Sequence, residues 1–133
     1  DTVNGWMESS FPAVYLGVDV GRLRLRFEEG RVVEAEAEKN QDYLTSMLDS
    51  DEGARRVGEF GIGTNGQIET FTRNMLFDEK IGGTIHLALG ASYPETGGKN
   101  KSGIHWDILC DMREAGVITV DGKRVYESGR FLL

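Results

Sequence analysis

The run Leu23-Arg-Leu-Arg-Phe-Glu-Glu-Gly-Arg-Val-Val-Glu-Ala-Glu-Ala-Glu38 decides the fold class of this chain. Residues Leu23–Phe27 alternate apolar and basic side chains, and Val32–Glu38 alternate apolar and acidic ones. A period of two places one face of a strand against a core and the other face in water. Glu29-Gly30 predicts the turn that joins the two runs as a β-hairpin. Its opposed charges indicate a solvated exterior face rather than a binding patch.

The rest of the chain is typical of more strands and a few helical turns. Asn40 is predicted to cap a helix that ends near Leu48, and Asp51 to cap a second one over Glu52–Val57. Further strands are predicted at Ala13–Val20, Glu59–Ile62, Gly83–Gly90 and His105–Cys110, with a hairpin over Val117–Tyr126 that turns at Asp121-Gly122. The prediction is a single domain over residues 1–133 of the α+β class. It is strand-rich and mainly antiparallel, with hairpins and one or two short helices.

Composition excludes several classes of protein. The 133 residues carry 22 Asp and Glu against 15 Lys and Arg, a net charge of -7 that disfavours nucleic acid as a partner. No apolar run approaches the ~20 residues of a membrane span, so no membrane association is expected. The single cysteine, Cys110, excludes an internal disulfide and is typical of a reducing cytoplasm. A start at Asp1 without methionine is expected for a piece of a longer protein.

The triplet His105-Trp106-Asp107 carries the clearest chemical signal. On a strand, His105 and Asp107 point to the same side and Trp106 to the other. Together the imidazole and the carboxylate can bind a metal ion or flank a pair of ions. In the alternative interpretation, Asp107 only orients His105 through a hydrogen bond.

Three other polar residues lie in or between apolar strands. His86 and Glu59 each need a partner if they are buried. In the alternative without a chemical role, His86 is a core histidine bonded to a backbone carbonyl. Glu59 then stays in water at the end of its strand. Tyr93 lies on the loop between the two histidine strands, where a phenol can donate to an oxyanion or simply cover the core.

The remaining candidates carry less weight. Asp78-Glu79-Lys80 is interpreted as a charge cluster that caps a loop, although its carboxylates are rival metal ligands. Cys110 is interpreted as buried and inert. The sequence contains no phosphate-binding glycine loop, no His-Glu-x-x-His helix and no Gly-x-Ser-x-Gly turn. The donors that remain are imidazoles and carboxylates, which suit Zn, Co or Mn.

Several separate motifs, in one order, carry a family resemblance that covers most of the chain. They are Asn4-Gly-Trp-Met-Glu-Ser-Ser-Phe-Pro12, Gly58-Glu-Phe-Gly-Ile-Gly-Thr-Asn65, Leu76-Phe-Asp-Glu-Lys-Ile-Gly-Gly-Thr-Ile-His-Leu-Ala-Leu-Gly90, Ser92-Tyr-Pro-Glu-Thr-Gly-Gly-Lys-Asn100 and Ile104-His-Trp-Asp107. Together they resemble the M29 family of metalloaminopeptidases. This family includes the aminopeptidase T, aminopeptidase S and aminopeptidase II types, often named leucyl aminopeptidases.

The resemblance implies a hydrolase that removes N-terminal, mainly apolar residues from peptides through a metal-activated water. It implies two divalent metal ions, Zn or Co in the first place and Mn or Mg as alternatives. Matched position by position, the implied metal ligands are Glu59, His86, His105 and Asp107, and Tyr93 is the implied catalytic residue. A cytoplasmic homodimer with peptide substrates is expected by the same likeness.

Two departures from the family pattern limit what the chain alone is expected to do. Family members are much longer, so this chain resembles only their C-terminal catalytic portion. A further ligand glutamate of the family would lie before Asp1, so we expect the isolated chain to hold metals poorly and to lack full activity. The alternative is a non-catalytic, β-rich module for dimerisation, with Trp6, Trp106 and Phe131 partly exposed.

Overall fold

The computed structural model describes residues 2–132. In chain order the elements are β1 (Gly5–Glu8), β2 (Val14–Tyr15), β3 (Val18–Asp19), β4 (Leu23–Glu28), β5 (Arg31–Ala37), α1 (Gln41–Leu48), β6 (Val57–Ile62), α2 (Met75–Asp78), β7 (Thr84–Gly90), β8 (His105–Asp111), β9 (Val117–Val120), β10 (Lys123–Glu127) and β11 (Arg130–Phe131). A single 3-10 turn at Pro94–Thr96 lies between β7 and β8.

Antiparallel pairing organises these strands into small sheets. Three-stranded sheets form in the orders β1-β4-β5, β6-β7-β8 and β11-β10-β9, and β2 pairs with β3 as a separate hairpin. The α+β prediction, with antiparallel hairpins and two short helices, is confirmed. The helices that the structure describes between residues 2 and 132 are too short or too polar to span a bilayer.

The β4–β5 hairpin has the two faces that its alternating sequence predicts. Arg24 lies opposite Glu36 and Arg26 opposite Glu34 on the outer face, where the Arg26 guanidinium is 2.6 Å from the Glu34 carboxylate. The inner face buries apolar side chains: Leu23, Leu25, Phe27 and Val32. The turn residues Glu29 and Gly30 have φ of 47° and 75°, as expected for a tight two-residue hairpin turn.

The main core lies between this hairpin sheet, α1 and one face of the β6-β7-β8 sheet. It joins Leu25 of β4, Leu44 and Leu48 of α1, Leu89 of β7 and Trp106 of β8 in one cluster of buried side chains. Trp106 is 1% exposed and stacks on Tyr15 with ring centroids 5.2 Å apart. The core therefore occupies one face of the β6-β7-β8 sheet and leaves the other face for polar residues.

Two of the three aromatic residues that the non-catalytic alternative expects to be exposed are exposed, and the third is not. Trp106, expected to be partly exposed, is buried because its side of β8 faces the core. Trp6 is 50% exposed, but the guanidinium of Arg24 lies 4.0 Å from its ring centroid. Phe131 is 45% exposed and packs edge-on against Tyr126.

Two predicted elements were wrong. The strand expected at Ala13–Val20 is a hairpin of β2 and β3, because Leu16 and Gly17 take φ of 48° and 80° and reverse the chain. The helix expected at Glu52–Val57 is a turn. Asp51 does accept from Gly53 N–H, as a cap would, but its other carboxylate oxygen accepts from Ser102 and Gly103 and draws the segment towards that loop. The helix α2 was not predicted.

Two smaller predictions were met in part. Helix α1 begins and ends where predicted, but Asn40 does not cap it, since its side chain donates to Asp19 O instead. Cys110 lies on the core side of β8 and is half-buried rather than buried. Burial, with a contribution from Glu8, raises the pKa of its thiol to about 11. The thiol is therefore protonated at neutral pH, as expected for an inert cysteine.

Candidate metal centre

Strand register brings the four residues proposed from the resemblance to one face of the β6-β7-β8 sheet. Glu59 of β6 lies opposite Ala88 of β7, which lies opposite Asp107 of β8. Directly paired residues of antiparallel strands share a face, and so do residues two apart on a strand. His86 is two residues from Ala88, and His105 is two residues from Asp107. All four side chains therefore leave the sheet on the side opposite Trp106.

Small residues leave room between these side chains. Ala88, which separates Glu59 from Asp107 in the row across the sheet, is fully buried and carries only a methyl group. Gly61 pairs with His86, and a Cβ at Gly61 would lie 2.2 Å from both Cε1 and Nε2 of that imidazole. The ring of His86 therefore occupies space that any residue other than glycine would fill.

The donor atoms face one another at distances too long for good hydrogen bonds. His86 Nε2 is 3.5 Å from Glu59 Oε1, His105 Nε2 is 3.4 Å from Glu59 Oε2, and His105 Nε2 is 3.6 Å from Asp107 Oδ1. Two atoms that bind one tetrahedral cation at ~2.1 Å lie about 3.4 Å apart. These spacings fit metal ligands better than hydrogen-bonded pairs, and the two distances from His105 match ligands of one shared ion.

A fifth residue, Glu79, joins the cluster from outside the sheet. Its carboxylate, His86 and Asp107 offer ligand atoms within 4.8 Å of one another, and Glu59, His105 and Asp107 form a second such group. Asp107 belongs to both groups, as a carboxylate that bridges two ions would. Sequence reasoning had placed Glu79 in a loop cap and named it only as a rival ligand. Strand periodicity could not find it, because it follows α2 rather than lying on a strand.

The segment that presents Glu79 is fixed by its buried neighbour Asp78. Asp78 Oδ1 accepts from the backbone N–H of Thr72 at 2.8 Å and from the Thr72 hydroxyl at 2.7 Å. The helix itself is capped by Asn74, whose side chain accepts from Leu76 N–H. These bonds tie α2 to the preceding loop, so the position of Glu79 depends on packing that the local sequence does not reveal.

Charge and burial in the cluster favour a cation. Glu59, Glu79 and Asp107 bring three carboxylates together, and like charges at such distances repel one another. Burial is the main cause that raises the pKa of Asp107, with Glu79 and Glu59 adding to it and the two histidines opposing it. Within residues 2–132, Asp107 Oδ1 and His86 Nδ1 are buried atoms without a hydrogen-bond partner. Divalent cations would neutralise the carboxylates and supply the missing partners.

A hydrogen bond to the backbone orients His105. Its Nδ1 lies 2.7 Å from the carbonyl oxygen of Ala91, so Nδ1 carries the proton and donates, which leaves Nε2 as the lone-pair atom. Nε2 is the atom that faces Glu59 and Asp107. Such a bond to the far nitrogen is the usual way in which a ligand histidine is held. The alternative in which Asp107 orients His105 is not what the structure shows.

Tyr93 lies beside the cluster on the loop between β7 and β8. Its ring centroid is 5.0 Å from that of His105, and the residue is 51% exposed. Burial of the phenol raises its pKa, and the charges of Glu59 and Asp107 raise it further. The hydroxyl is therefore protonated at neutral pH and can donate a hydrogen bond.

Two clefts meet at Glu59. One, of about 410 Å³, contains Glu59, Glu79 and His86 together with the backbone of residues 61–65. The other, of about 560 Å³, lies between β6 and the loop of residues 92–100, and it also includes Glu59 and Phe60. A ligand in either cleft would reach the acidic cluster.

A family comparison agrees with the motifs. The family model for thermophilic metalloproteases of the M29 type matches residues 1–131. The chain belongs to the M29 family. The family implies a divalent metal, and the clustered carboxylates and imidazoles are the groups that this M29 chain offers to hold one.

Individual relatives also match almost the whole of this chain. Aminopeptidase 2 of Geobacillus stearothermophilus is 33% identical over 153 residues, which cover 98% of this M29 chain and 37% of that protein. AmpT from Thermus thermophilus has a solved structure that aligns with a TM-score of 0.76 at 29% identity, covering 98% of this chain and 36% of that one. The chain thus spans just over a third of these relatives. A 2,5-dihydroxypyridine dioxygenase from Pseudomonas putida, at 21% identity and a TM-score of 0.73, shares the fold.

Substitution of Gly61 tests the space around His86. Gly61→Ala would bring a methyl group to 2.2 Å from the imidazole of His86, so the ring must leave its position in the cluster. We expect affinity for Zn²⁺ or Co²⁺ to fall by about 10- to 100-fold in calorimetric titration of the full-length protein. Gly66→Ala is the matched control, because a Cβ at Gly66 meets no atom within 4 Å. Equal metal affinity in both variants would contradict this account of the cluster.

Proposed function

We propose that this chain is the C-terminal catalytic part of a longer metal-dependent aminopeptidase that removes N-terminal residues from peptides. The observation that carries the proposal is the convergence of Glu59, His105 and Asp107 with Glu79 and His86, with Asp107 common to both groups. A single ion would need only one of these groups. Two groups that share a carboxylate favour a pair of ions.

Each residue has a defined part in the proposed site. Glu59, His105 and Asp107 would hold one ion, and His86, Glu79 and Asp107 would hold the second. Paired divalent cations lower the pKa of water towards neutrality and polarise a peptide carbonyl. The buried carboxylates offset the charge of the ions, and the bond from His105 to Ala91 O keeps its Nε2 directed at the cluster.

Tyr93 is proposed to act directly on the substrate. Its hydroxyl is protonated at neutral pH, as a tyrosine ordinarily is, and burial and the nearby carboxylates raise its pKa further. A phenol beside the metals can donate a hydrogen bond to the oxygen that becomes negative when the scissile carbonyl is attacked. The nearness of its ring to that of His105, one of the candidate ligands, supports this proposal.

The finer properties of the enzyme are proposals of the same kind. Two imidazoles and three carboxylates form a mixed nitrogen and oxygen set that suits Zn or Co, with Mn or Mg as alternatives. The preference for an apolar N-terminal residue is carried over from the family resemblance. Because this chain covers only 37% of a curated relative, we propose that it lacks full activity when isolated.

Ligand substitutions in the full-length protein test the proposed activity. We expect Glu59→Gln and His105→Ala each to lower turnover of an aminoacyl chromogenic substrate by a factor on the order of 100 or more, because each removes a metal ligand. The rates should be measured with saturating Zn²⁺ or Co²⁺. Asp121→Asn, in the exposed turn between β9 and β10, is a control that should retain the rate of the parent. Unchanged turnover in both ligand variants would overturn the proposed function.

Tyr93→Phe separates the role of the phenol from that of the metals. We expect kcat to fall by roughly 100-fold, as for the loss of one oxyanion donor, with KM and bound metal nearly unchanged. Steady-state kinetics and metal analysis of the same preparation give both readouts. A variant with unaltered kcat would show that the hydroxyl takes no part in the reaction.

A further inference from the structure

The loop of residues 91–104, called the β7–β8 loop below, supplies two groups to the candidate site. Ala91 gives the carbonyl that orients His105, and Tyr93 gives the phenol. Ala91 is held by the sheet, since its N–H donates to Ile104 O at 2.8 Å across the base of the loop. Tyr93 lies farther out and is half exposed, so another contact must fix the backbone that carries it.

The side chain of Asn100 ties the loop to two other segments. Its Nδ2 donates to Gly90 O at 2.6 Å and to Gly53 O at 2.9 Å. Gly90 ends β7, and Gly53 lies in the turn before β6. Both partners are carbonyl oxygens, which only accept, so the amide nitrogen and its two hydrogens must face them.

The backbone of Asn100 holds the residue next to Tyr93. Asn100 N–H donates to the hydroxyl oxygen of Ser92 at 2.8 Å, and Ser92 N–H donates to Asn100 O at 3.0 Å. Ser92 immediately precedes Tyr93. This pair of hydrogen bonds joins the two sides of the loop at Ser92, the residue directly before Tyr93.

Glycines make this closure possible. A Cβ at Gly98 would lie 2.3 Å from the Cβ of Ser92, and one at Gly53 would lie 1.9 Å from Lys101 O. The loop therefore packs against its own start and against the turn at Gly53 more closely than other residues permit. The Asn100 amide lies inside that packing as a half-buried donor.

We propose that Asn100 is a positioning residue for the reaction and acts by holding the β7–β8 loop so that the Tyr93 phenol faces the metal cluster. The inference rests on the proposed function, in which that phenol contacts the substrate. Loss of the amide removes its bonds to Gly90 O and Gly53 O, of which Gly53 O keeps only the bond from Arg56 N–H, and so frees Ser92 and Tyr93 to shift. A displacement of ~1 Å at a reacting group can cost about 100-fold in rate.

The inference predicts that a change at Asn100 disturbs Tyr93 but not metal binding. Ala91 keeps its own bond to Ile104 O when Asn100 is changed, so His105 keeps its orientation. Variants of Asn100 should therefore retain bound metal and a normal KM while they lose kcat. A general loss of structure would lower all three together with thermal stability.

A double-mutant cycle in the full-length, metal-loaded protein tests this. We expect Asn100→Ala to lower kcat by about 10- to 100-fold with KM within about twofold. In a Tyr93→Phe background the same change should cost less than about twofold, because residues that act through one group are not additive. Asn100→Asp keeps the size but removes both donors, so it should lose at least as much kcat as Asn100→Ala.

Controls keep the cycle decisive. Lys101→Ala changes the exposed side chain on the other side of Asn100, outside both clefts, and should leave kcat unchanged. If Asn100→Ala fails to fold, Ser92→Ala removes the hydroxyl that accepts from Asn100 N–H and should show a smaller loss of kcat with the same non-additivity.

Each outcome supports or overturns the role of Asn100. Loss of kcat that vanishes in the Tyr93→Phe background supports it. Losses that multiply, or unchanged kcat in Asn100→Ala beside a damaged Tyr93→Phe, overturn the positioning role and leave the proposed function standing. Unchanged kcat in Tyr93→Phe overturns the proposed role of the phenol, and the role of Asn100 fails with it.

Discussion

The electrostatic cost of three carboxylates gathered at one face of the β6-β7-β8 sheet, two from its strands and one from the end of α2, is the constraint on which the rest of the structure depends. Glu59, Glu79 and Asp107 approach one another with two imidazoles beside them, and Asp107 is buried. Groups of like charge at these distances are costly in a medium of low dielectric constant unless cations lie between them. The small residues Ala88 and Gly61 leave space for the clustered side chains. The hydrogen bond from His105 to Ala91 O orients the imidazole.

One face of the β6-β7-β8 sheet belongs to the hydrophobic core, and the other face carries the candidate metal ligands. Trp106 and Leu89 pack one face against the β4–β5 hairpin and α1. This packing fixes the position of the strands. The same strands project His105, His86 and Glu59 from the other face. Alternate residues of a strand point to opposite faces. A shift of register by one residue would therefore turn Trp106 towards the site and the ligand side chains towards the core. The stability of the core and the geometry of the site are therefore linked.

Strand periodicity explains what could be predicted from the sequence. The alternation at Leu23–Phe27 predicted the hairpin, and the spacing of His105 and Asp107 predicted a shared face with Trp106 behind it. Both depend only on neighbours along a strand. The pairing of β6 with β7, which brings Glu59 into one row with Ala88 and Asp107, was not derivable from periodicity. The family resemblance named Glu59 and Asp107 as ligands but gave no strand order.

These misses come from side-chain contacts that strand and helix periodicity does not encode. Asp51 was expected to start a helix, but its carboxylate binds Ser102 and Gly103. Glu79 joins the cluster from the end of α2, which depends on the bond between Asp78 and Thr72 and has no period to detect. Asn100 looked like an ordinary loop residue until the carbonyls of Gly90 and Gly53 were seen around its amide.

Anomalous diffraction from crystals of the full-length protein grown with Zn²⁺ or Co²⁺ measures the central claim most directly. The account predicts two anomalous peaks about 3.5–4 Å apart, each within bonding distance of Asp107. One peak should also touch Glu59 and His105, and the other His86 and Glu79. A single peak, or peaks bound elsewhere with Asp107 unliganded, would contradict it.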